Sequence, residues 1–201
     1  EKLPIRDKVS WTSLIMGYTR QRYGEKALQH FEQMQVEGIC LDSVAYLCSL
    51  KACSYSTRVE SIRSKLHSLI AFNGLLEKDL TVGNTLIDIY AESGGLVEAR
   101  EVFFKIPARD LISWNALIAG YAQHGYMHDA NRLFQCMHRD GIHPNKETWN
   151  AIISGWAING QGDKALGLLQ QMQSMGVSPN HVTWNGLIVG FVQFGKAGEA
   201  L

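Results

Sequence analysis

The stretch LISWNALIAGYAQHGYMHDANRLFQCMHRDGIHPN, at residues 111–145, decides the fold of this chain. Similar stretches occur at 8–42, 146–180 and 181–201, and three successive copies start 35 residues apart. Each copy opens on a short polar residue, a tryptophan and a second polar residue, at 10–12, 113–115, 148–150 and 183–185. Self-similarity at a fixed period is the signature of an array of similar supersecondary units.

One repeat is predicted to form a helical hairpin. Apolar residues at helical spacing mark its first helix, at Trp114, Leu117, Ile118 and Tyr121. Gly125 interrupts this pattern, and a second apolar run ends at Gly141 and Pro144. Asp110 or Ser113 is expected to cap the first helix. Helices of about 12 residues are marginal in isolation, so neighbouring hairpins must stack. The sequence therefore predicts an all-α fold, an α-solenoid of stacked helix–turn–helix repeats that form a superhelix.

Two further units have different lengths. Residues 43–79 form a longer unit without tryptophan, and residues 80–110 form a shorter unit of 31 residues. The predicted division of one continuous solenoid domain is a tail of a preceding short repeat at 1–7, a standard repeat at 8–42, a long repeat at 43–79, a short repeat at 80–110, standard repeats at 111–145 and 146–180, and a truncated repeat at 181–201.

Composition excludes several classes of protein. An apolar content of 46% and a charged content of 19% are typical of an ordinary folded chain. No apolar run approaches the roughly 20 residues that a membrane helix requires, so no membrane partner is expected. A net charge of zero argues against nucleic-acid binding mainly through phosphate neutralisation. The four cysteines show no CxxC pair, which favours free thiols in a reducing compartment.

The repeat text resembles a known family. Helical hairpins with periods of about 34–35 residues occur in tetratricopeptide and pentatricopeptide repeats. Here the copies read S/T-W-N/T-x-L/I-I-x-G-Y/W/F, and two of them close on G-I/V-x-P-N. Over essentially its whole length the chain resembles the pentatricopeptide repeat family.

The mixture of unit lengths resembles one plant organellar subclass of that family. Its long unit carries Leu-Lys-Ala-Cys, present here at 50–53, and its short unit ends in Pro-x-Arg-Asp, present at 107–110 and 4–7. After 111–145 that subclass would place a long unit, whereas 146–180 is again of standard type.

The resemblance implies that each repeat reads one RNA base through its fifth and last residues. The implied base-reading residues are Thr12 with Asp42, Asn84 with Asp110, Asn115 with Asn145, Asn150 with Asn180, and Asn185, whose partner is missing from the sequence. In the family, Thr with Asp favours guanine, Asn with Asp favours uracil, and Asn with Asn favours cytosine over uracil. With RNA parallel to the protein, the expected target is 5′-G, unread, U, C/U, C/U, pyrimidine-3′.

The second residue of each repeat is implied to stack on a base. The residues suited to this are Val9, Thr81, Ile112 and Val182, whereas the acidic Glu147 is not. The long repeat has Val44 at this position, but the apolar Leu47 occupies its base-reading position, so no base is assigned to it.

The resulting functional hypothesis is sequence-specific binding of single-stranded RNA, as the specificity array of an organellar C-to-U editing factor. The location expected is mitochondrion or chloroplast, and an editing-factor protein is the partner expected at the long repeat. No catalytic set, phosphate loop, metal signature or deaminase motif (HxE, PCxxC) is present, so neither catalysis nor a cofactor or metal is expected of this stretch. One alternative is an RNA-stabilising, splicing or processing factor of the same family.

A second alternative is a protein-binding helical-repeat scaffold. Its docking face would combine Leu47 with the apolar second helix of the long repeat, at Leu66, Leu69 and Ile70. Several residues also have purely structural interpretations. Asparagine at a helix start is often a cap, the tryptophans at helical spacing are expected in the core, and Cys48 and Cys53 are expected to be packing residues. His124 and His128 lie on either side of the Gly125 turn, which argues against a shared metal.

Overall fold

The computed structural model describes residues 7–56 and 59–194. All regular secondary structure in these residues is helical: α1 Lys8–Arg20, α2 Gly24–Val36, α3 Ser43–Cys53, α4 Val59–Phe72, α5 Leu75–Lys78, α6 Leu80–Glu92, α7 Leu96–Lys105, α8 Leu111–Gln123, α9 Met127–Arg139, α10 Lys146–Ile158, α11 Gly162–Ser174 and α12 His181–Gln193. Of the predicted repeats, residues 1–6 of the tail and residues 195–201 of the last unit lie outside this range.

The helices alternate as first and second helices of hairpins. First helices α1, α3, α6, α8, α10 and α12 begin at the residues where the sequence pattern starts a new repeat. The long repeat differs because the extra short helix α5 follows its second helix. Gly74 precedes α5 with a φ of +63°, a conformation that glycine adopts without steric penalty. The additional residues of this repeat therefore form a single helical turn.

A short polar residue caps the start of most first helices. Asp7, Asp42, Asp110, Asn145 and Asn180 each have extended backbone, and each accepts a backbone N–H from the following turn. At Asp110 the Ser113 side chain completes a capping box, so both residues predicted as caps take part. Such a cap contributes about 0.5–2 kcal/mol to helix stability.

Glycines close the hairpin turns. Gly94, Gly125 and Gly160 occupy the same position between first and second helices, with φ values of +82°, +81° and +77°. In the first hairpin Arg22 takes this left-handed conformation instead, with a φ of +60°. Gly141 follows α9 with a φ of +76°, and thus ends the second helix as predicted.

The described residues form two compact units. The first comprises those within Glu1–Ile89 together with Phe104–Pro107. Its core contains Ile15, Leu28, Phe31, Leu50, Leu66 and Ile70. The Phe31 and Tyr46 rings meet edge to face, with centroids 5.7 Å apart. Because Leu66 and Ile70 are at most 1% exposed, they are part of this core, and the predicted docking face on the second helix of the long repeat is wrong at those two positions.

The second unit comprises Tyr90–Phe103 and the described residues that follow Ala108. Here a phenylalanine on one second helix packs edge to face against the tryptophan of the next repeat. The ring centroids are 4.6 Å apart for Phe103 with Trp114 and 4.9 Å apart for Phe134 with Trp149. These edge-to-face pairs stabilise the packing of successive repeats in this unit.

Three of the four repeat tryptophans confirm the predicted core role. Trp11, Trp114 and Trp149 are at most 3% exposed, but Trp184 is 47% exposed. Trp184 lies on α12, the last helix that the structure describes. At the position equivalent to Phe134, the repeat that precedes Trp184 has Leu169, so the aromatic pair is not repeated there.

The cysteines are free thiols in different surroundings. Cys40 is exposed, whereas Cys53 is fully buried, and burial raises the pKa of the Cys53 thiol to about 12. Burial also raises the pKa of Cys48. Both residues of the first helix of the long repeat therefore pack as small apolar groups, as predicted.

Candidate nucleic-acid interface

The second residues of the repeats are exposed side chains on the first helices. Val9, Ile112, Val182 and Val44 are between 41% and 70% exposed, and Thr81 and Glu147 are exposed too. Single exposed apolar residues are ordinary on a protein surface, but these recur at one position of each repeat. The predicted stacking residues Val9, Thr81, Ile112 and Val182 are therefore accessible to a ligand.

A hydrogen-bonded network joins the fifth and last residues of the repeat at 111–145. Asn115 Nδ2 donates to Asn145 Oδ1 over 3.2 Å, although the residues are 30 positions apart. The hydroxyl of Thr148, in the next repeat, donates to Asn115 Oδ1 over 2.6 Å. Asn145 Oδ1 also accepts the backbone N–H of Thr148, which makes Asn145 the cap of α10. Two residues predicted to act together are thus in direct contact.

The same network recurs one repeat later. Asn150 Nδ2 donates to Asn180 Oδ1 over 3.3 Å, and the Thr183 hydroxyl donates to Asn150 Oδ1 over 2.5 Å. Asn150 is 8% exposed and Thr183 is fully buried. An amide has two N–H donors and an oxygen with two lone pairs. Each fifth-position asparagine therefore has a second N–H that this network does not use.

The repeat at 8–42 is built differently. Thr12 donates its hydroxyl to the backbone oxygen of Lys8 in the same helix, over 2.9 Å. The Asp42 carboxylate accepts the backbone N–H of Ala45 and forms an ion pair with Lys8 Nζ over 3.2 Å. No hydrogen bond joins Thr12 to Asp42. Instead, Lys8 contacts both members of this predicted pair, Thr12 through its backbone oxygen and Asp42 through its ammonium group.

In the long repeat, Ser43 and Asp79 are the equivalent first and last residues, and a hydrogen bond from Ser43 lowers the pKa of Asp79.

The other predicted base-reading residues lie on α6, at the start of α8 and on α12. Asn84 is 7% exposed and belongs to the first unit, and Asp110 caps α8 in the second unit. Asn185 is exposed on α12. Leu47, at the equivalent position of the long repeat, is half-buried and apolar.

Sequence reasoning missed the hydroxyl residues that complete the networks. Thr148 and Thr183 are the third residues of their repeats, and each orients the asparagine of the preceding repeat. The signal was visible, because a serine or threonine comes directly before every repeat tryptophan. In the long repeat Ala45 occupies this place, so that repeat cannot supply a side-chain hydroxyl there.

The two histidines near the α8–α9 turn have other roles. His124 Nε2 is 2.9 Å from the backbone oxygen of Ala91, and the His128 ring packs edge to face with Trp156. Among residues 7–56 and 59–194, no group of three or more metal-ligating side chains is assembled. In the same residues, no helix has the length and apolar character needed to cross a membrane.

Comparison with known proteins places this geometry in context. The PPR repeat family model matches residues 6–54, 109–155 and 146–193, and a PPR repeat model matches 84–111. A mitochondrial pentatricopeptide repeat-containing protein of Arabidopsis thaliana is 38% identical over 73% of this chain and 23% of its own length. A chloroplastic one from the same plant is 37% identical over 71% of this chain and 23% of its own length. The chain thus spans about a quarter of the length of these relatives.

A solved structure has the same fold. Maize pentatricopeptide repeat protein PPR10, in complex with an 18-nt psaJ RNA element, superposes with a TM-score of 0.82 at 21% identity. The match covers 96% of this chain and 29% of the other. The predicted fold class, an all-α solenoid of helical hairpins, is confirmed.

Proposed function

The chain belongs to the pentatricopeptide repeat family, and we propose that this segment binds single-stranded RNA in a sequence-dependent manner. The carrying observation is the repeated network in which Asn115 contacts Asn145 and Asn150 contacts Asn180. These side chains lie 30 residues apart in sequence, and the fold joins them twice with the same donors and acceptors. Helix capping alone does not require an asparagine at the fifth position, because the Oδ1 atoms of Asn145 and Asn180 already accept backbone N–H groups of the helices that follow them.

The network presents hydrogen-bond donors of fixed orientation. Each fifth-position oxygen accepts a threonine hydroxyl, so the unused N–H of Asn115 or Asn150 is the group best placed to meet a base. Pyrimidines carry an O2 acceptor, which such a donor suits. A wrong base leaves polar groups unpaired at about 1–3 kcal/mol each. One repeat therefore discriminates modestly, and affinity comes from several repeats together.

Exposed second-position residues support a stacking role beside these pairs. Base stacking on a side chain contributes about 1–3 kcal/mol per base, and it has little sequence preference. Val9, Ile112 and Val182 would supply apolar contact, and Thr81 a β-branched one. Each repeat with a code pair would then read one base. Thr12 with Asp42 would read G, Asn84 with Asp110 would read U, the two Asn–Asn pairs would read C or U, and Asn185 a pyrimidine.

Oligonucleotides that differ at single positions test this assignment. The reference RNA is 5′-G, any base, U, C, C, U-3′ with flanking adenines, and dissociation constants are measured by fluorescence anisotropy. A changed first or third base, or a purine at the fourth or fifth position, should weaken binding roughly 5- to 100-fold, and a changed second base should not. Asn115→Thr should shift the preferred fourth base toward adenine, as the family code implies. Equal binding of all sequences would reject sequence-dependent recognition.

We further propose that the full-length protein is an organellar RNA-editing specificity factor, in the mitochondrion or chloroplast. The relatives with mitochondrial and chloroplastic names support the location. The mixed repeat lengths support the role. In this role the segment binds RNA and a deaminase elsewhere supplies the chemistry. Sequencing organellar transcripts from plants that lack the protein separates the roles: one cytidine that stays unedited supports editing, whereas altered splicing or transcript ends support the processing alternative.

The protein-binding alternative rests on the long repeat. Leu47 is half-buried, Val44 is 41% exposed and Phe72 is 87% exposed, so these residues could contact an editing-factor partner. Crosslinking to RNA separates the alternatives when Asn84, Asn115 and Asn150 are replaced together by alanine. Loss of the crosslink supports RNA reading by these repeats, and unchanged crosslinking supports a scaffold role.

A further inference from the structure

The two Asn–Asn pairs have the same fifth and last residues but different neighbours. After Asn145 the second residue of the following repeat is Glu147, and after Asn180 it is Val182. The two Asn–Asn pairs, Glu147 and Val182 all belong to the second compact unit, so the two sites can be compared directly. A code that uses only the fifth and last residues treats these repeats as equivalent, but the structure shows that their polar groups differ.

Glu147 is connected to the base-reading pair at 111–145. Asn145 Nδ2 donates to the Glu147 carboxylate, while Asn145 Oδ1 accepts from Asn115 Nδ2. The Glu147 carboxylate is therefore linked to Asn115 through the side-chain amide of Asn145. At the other site, Asn180 Oδ1 accepts the backbone N–H of Val182, and no side chain among the described residues accepts from Asn180 Nδ2.

The Glu147 carboxylate has capacity for a further donor. Its side chain is exposed, and it forms no ion pair within the described part of the chain. An ionised carboxylate offers about four acceptor sites, of which Asn145 uses one. A donor from a ligand would thus meet an uncompensated negative charge in a site that otherwise presents N–H groups.

Cytosine and uracil differ in the groups that this site would contact. Cytosine carries an N4 amino donor with N3 and O2 acceptors, whereas uracil carries an O4 acceptor and an N3–H donor. Glutamate accepts hydrogen bonds from the cytosine N4 amino group, and its charge repels a carbonyl oxygen. The N–H groups of Asn115 and Asn145 match the cytosine N3 and O2 acceptors. The three side chains together are complementary to cytosine.

We propose that Glu147 is a base-reading residue that makes the repeat at 111–145 select cytosine over uracil. The repeat at 146–180, with Val182 in the corresponding place, accepts either pyrimidine. This inference rests on the proposed RNA-binding function and assigns a distinct preference to one of its repeats.

Paired oligonucleotides with cytosine or uracil at the fourth or fifth nucleotide test this inference. Wild-type protein should bind the RNA with cytosine at the fourth position about tenfold more tightly than the one with uracil. Glu147→Val should reduce this ratio to that of the fifth position. Glu147→Gln should retain part of it, because the amide oxygen still accepts from the amino group. Val182→Glu should create a cytosine preference at the fifth position.

The ratio of the two affinities separates base reading from other effects. Removal of a negative charge should strengthen binding to every RNA, since phosphates are repelled less, and a purely structural change would alter both affinities equally. Val182→Glu is expected to increase selectivity for cytosine at the fifth position, a result that damage to the fold cannot produce. An unchanged ratio in Glu147→Val, with Asn115→Thr still shifting the fourth base toward adenine, would overturn this inference and leave RNA reading intact. Wild-type binding that ignores base identity at every position would overturn both.

Discussion

Gly120 packs directly against Ala91, so closely that a Cβ on Gly120 would lie 2.4 Å from the Ala91 Cβ. Both residues are on first helices, in successive repeats of the second unit. Gly190 makes the equivalent close approach to Ala157. Gly17 occupies the same repeat position as Gly120 and Gly190, yet nothing lies within 4 Å of its notional Cβ. Gly17 lies on α1, before which the structure describes no helix, so it is a matched position without the close contact.

Gly120→Ala should destabilise the protein, and Gly17→Ala should stabilise it. The added methyl group at Gly120 overlaps Ala91 and overpacks the contact, which costs about 1–3 kcal/mol in unfolding free energy. At Gly17 the helix gains about 0.5–1 kcal/mol because alanine loses less backbone entropy. Urea denaturation of both variants measures the difference. Equal shifts of the same sign would contradict the packing described here.

Thr183→Val should weaken both the fold and the reading of the fifth base. The isosteric change removes the hydroxyl that donates to Asn150 Oδ1 and leaves this oxygen without that donor, at about 1–3 kcal/mol. Asn150 is then free to rotate, so the selectivity for a pyrimidine at the fifth position should fall. Ser10→Ala is the control, since Ser10 donates only to the exposed Asp7. It should leave base selectivity at all positions unchanged.

Asp110→Asn should separate helix capping from base reading. Asparagine caps about as well as aspartate, so the unfolding free energy should change by less than about 0.5 kcal/mol. The code pair with Asn84 would become Asn–Asn, and the third base should change from uracil alone to cytosine or uracil. Asp110→Ala should lose about 1 kcal/mol of stability together with the cap. Thermal melts and the oligonucleotide panel measure the two effects independently.

Cys40 should react rapidly with a thiol reagent, and Cys53 only when its unit opens. Cys40 is exposed, whereas Cys53 is fully buried and has its pKa raised to about 12. Labelling at pH 8 with mass-spectrometric detection distinguishes them. Rapid modification of Cys53 in the folded protein would contradict its burial.

The raised pKa of Cys53 also predicts a pH dependence of stability. The folded state keeps this thiol protonated, whereas the unfolded chain ionises it near its ordinary pKa of about 8.5. The contribution to stability is therefore complete below that pH and is lost as pH rises toward about 12. Comparison with Cys53→Ala isolates the effect, because other groups titrate in the same range. An identical pH profile of the two proteins would refute it.

The sequence predicts the repeats well because their signals are local. Helical spacing, the glycine at 125 and the capping residue at 110 each act within one hairpin, and the helices begin where the pattern restarts. The pairing of Asn115 with Asn145 was implied by the family resemblance, and their contact is now visible. Local patterns could not indicate how closely Gly120 approaches Ala91, since that depends on the crossing of two helices.

The interactions that the sequence did not reveal are those between successive repeats. Thr148 and Thr183 precede a tryptophan and look like helix-start residues, and only the fold brings them to an asparagine 33 positions earlier. Glu147 looked unsuited to stacking, whereas its contact with Asn145 gives it a polar role. Residues of this kind serve two adjacent repeats at once, so a pattern confined to one repeat misses them.

The double use of the last residue limits how such an array can be reprogrammed. Asp42, Asp110, Asn145 and Asn180 each begin the next helix with the same side chain that belongs to the proposed code. A substitution of this residue that alters the target base must therefore introduce a side chain that can still cap the following helix. Serine, threonine, aspartate and asparagine satisfy this condition, and larger apolar side chains do not. The chemistry of helix initiation thus limits which base preferences a substitution of the last residue can produce. The fifth residue caps no helix, so it is less restricted by this condition.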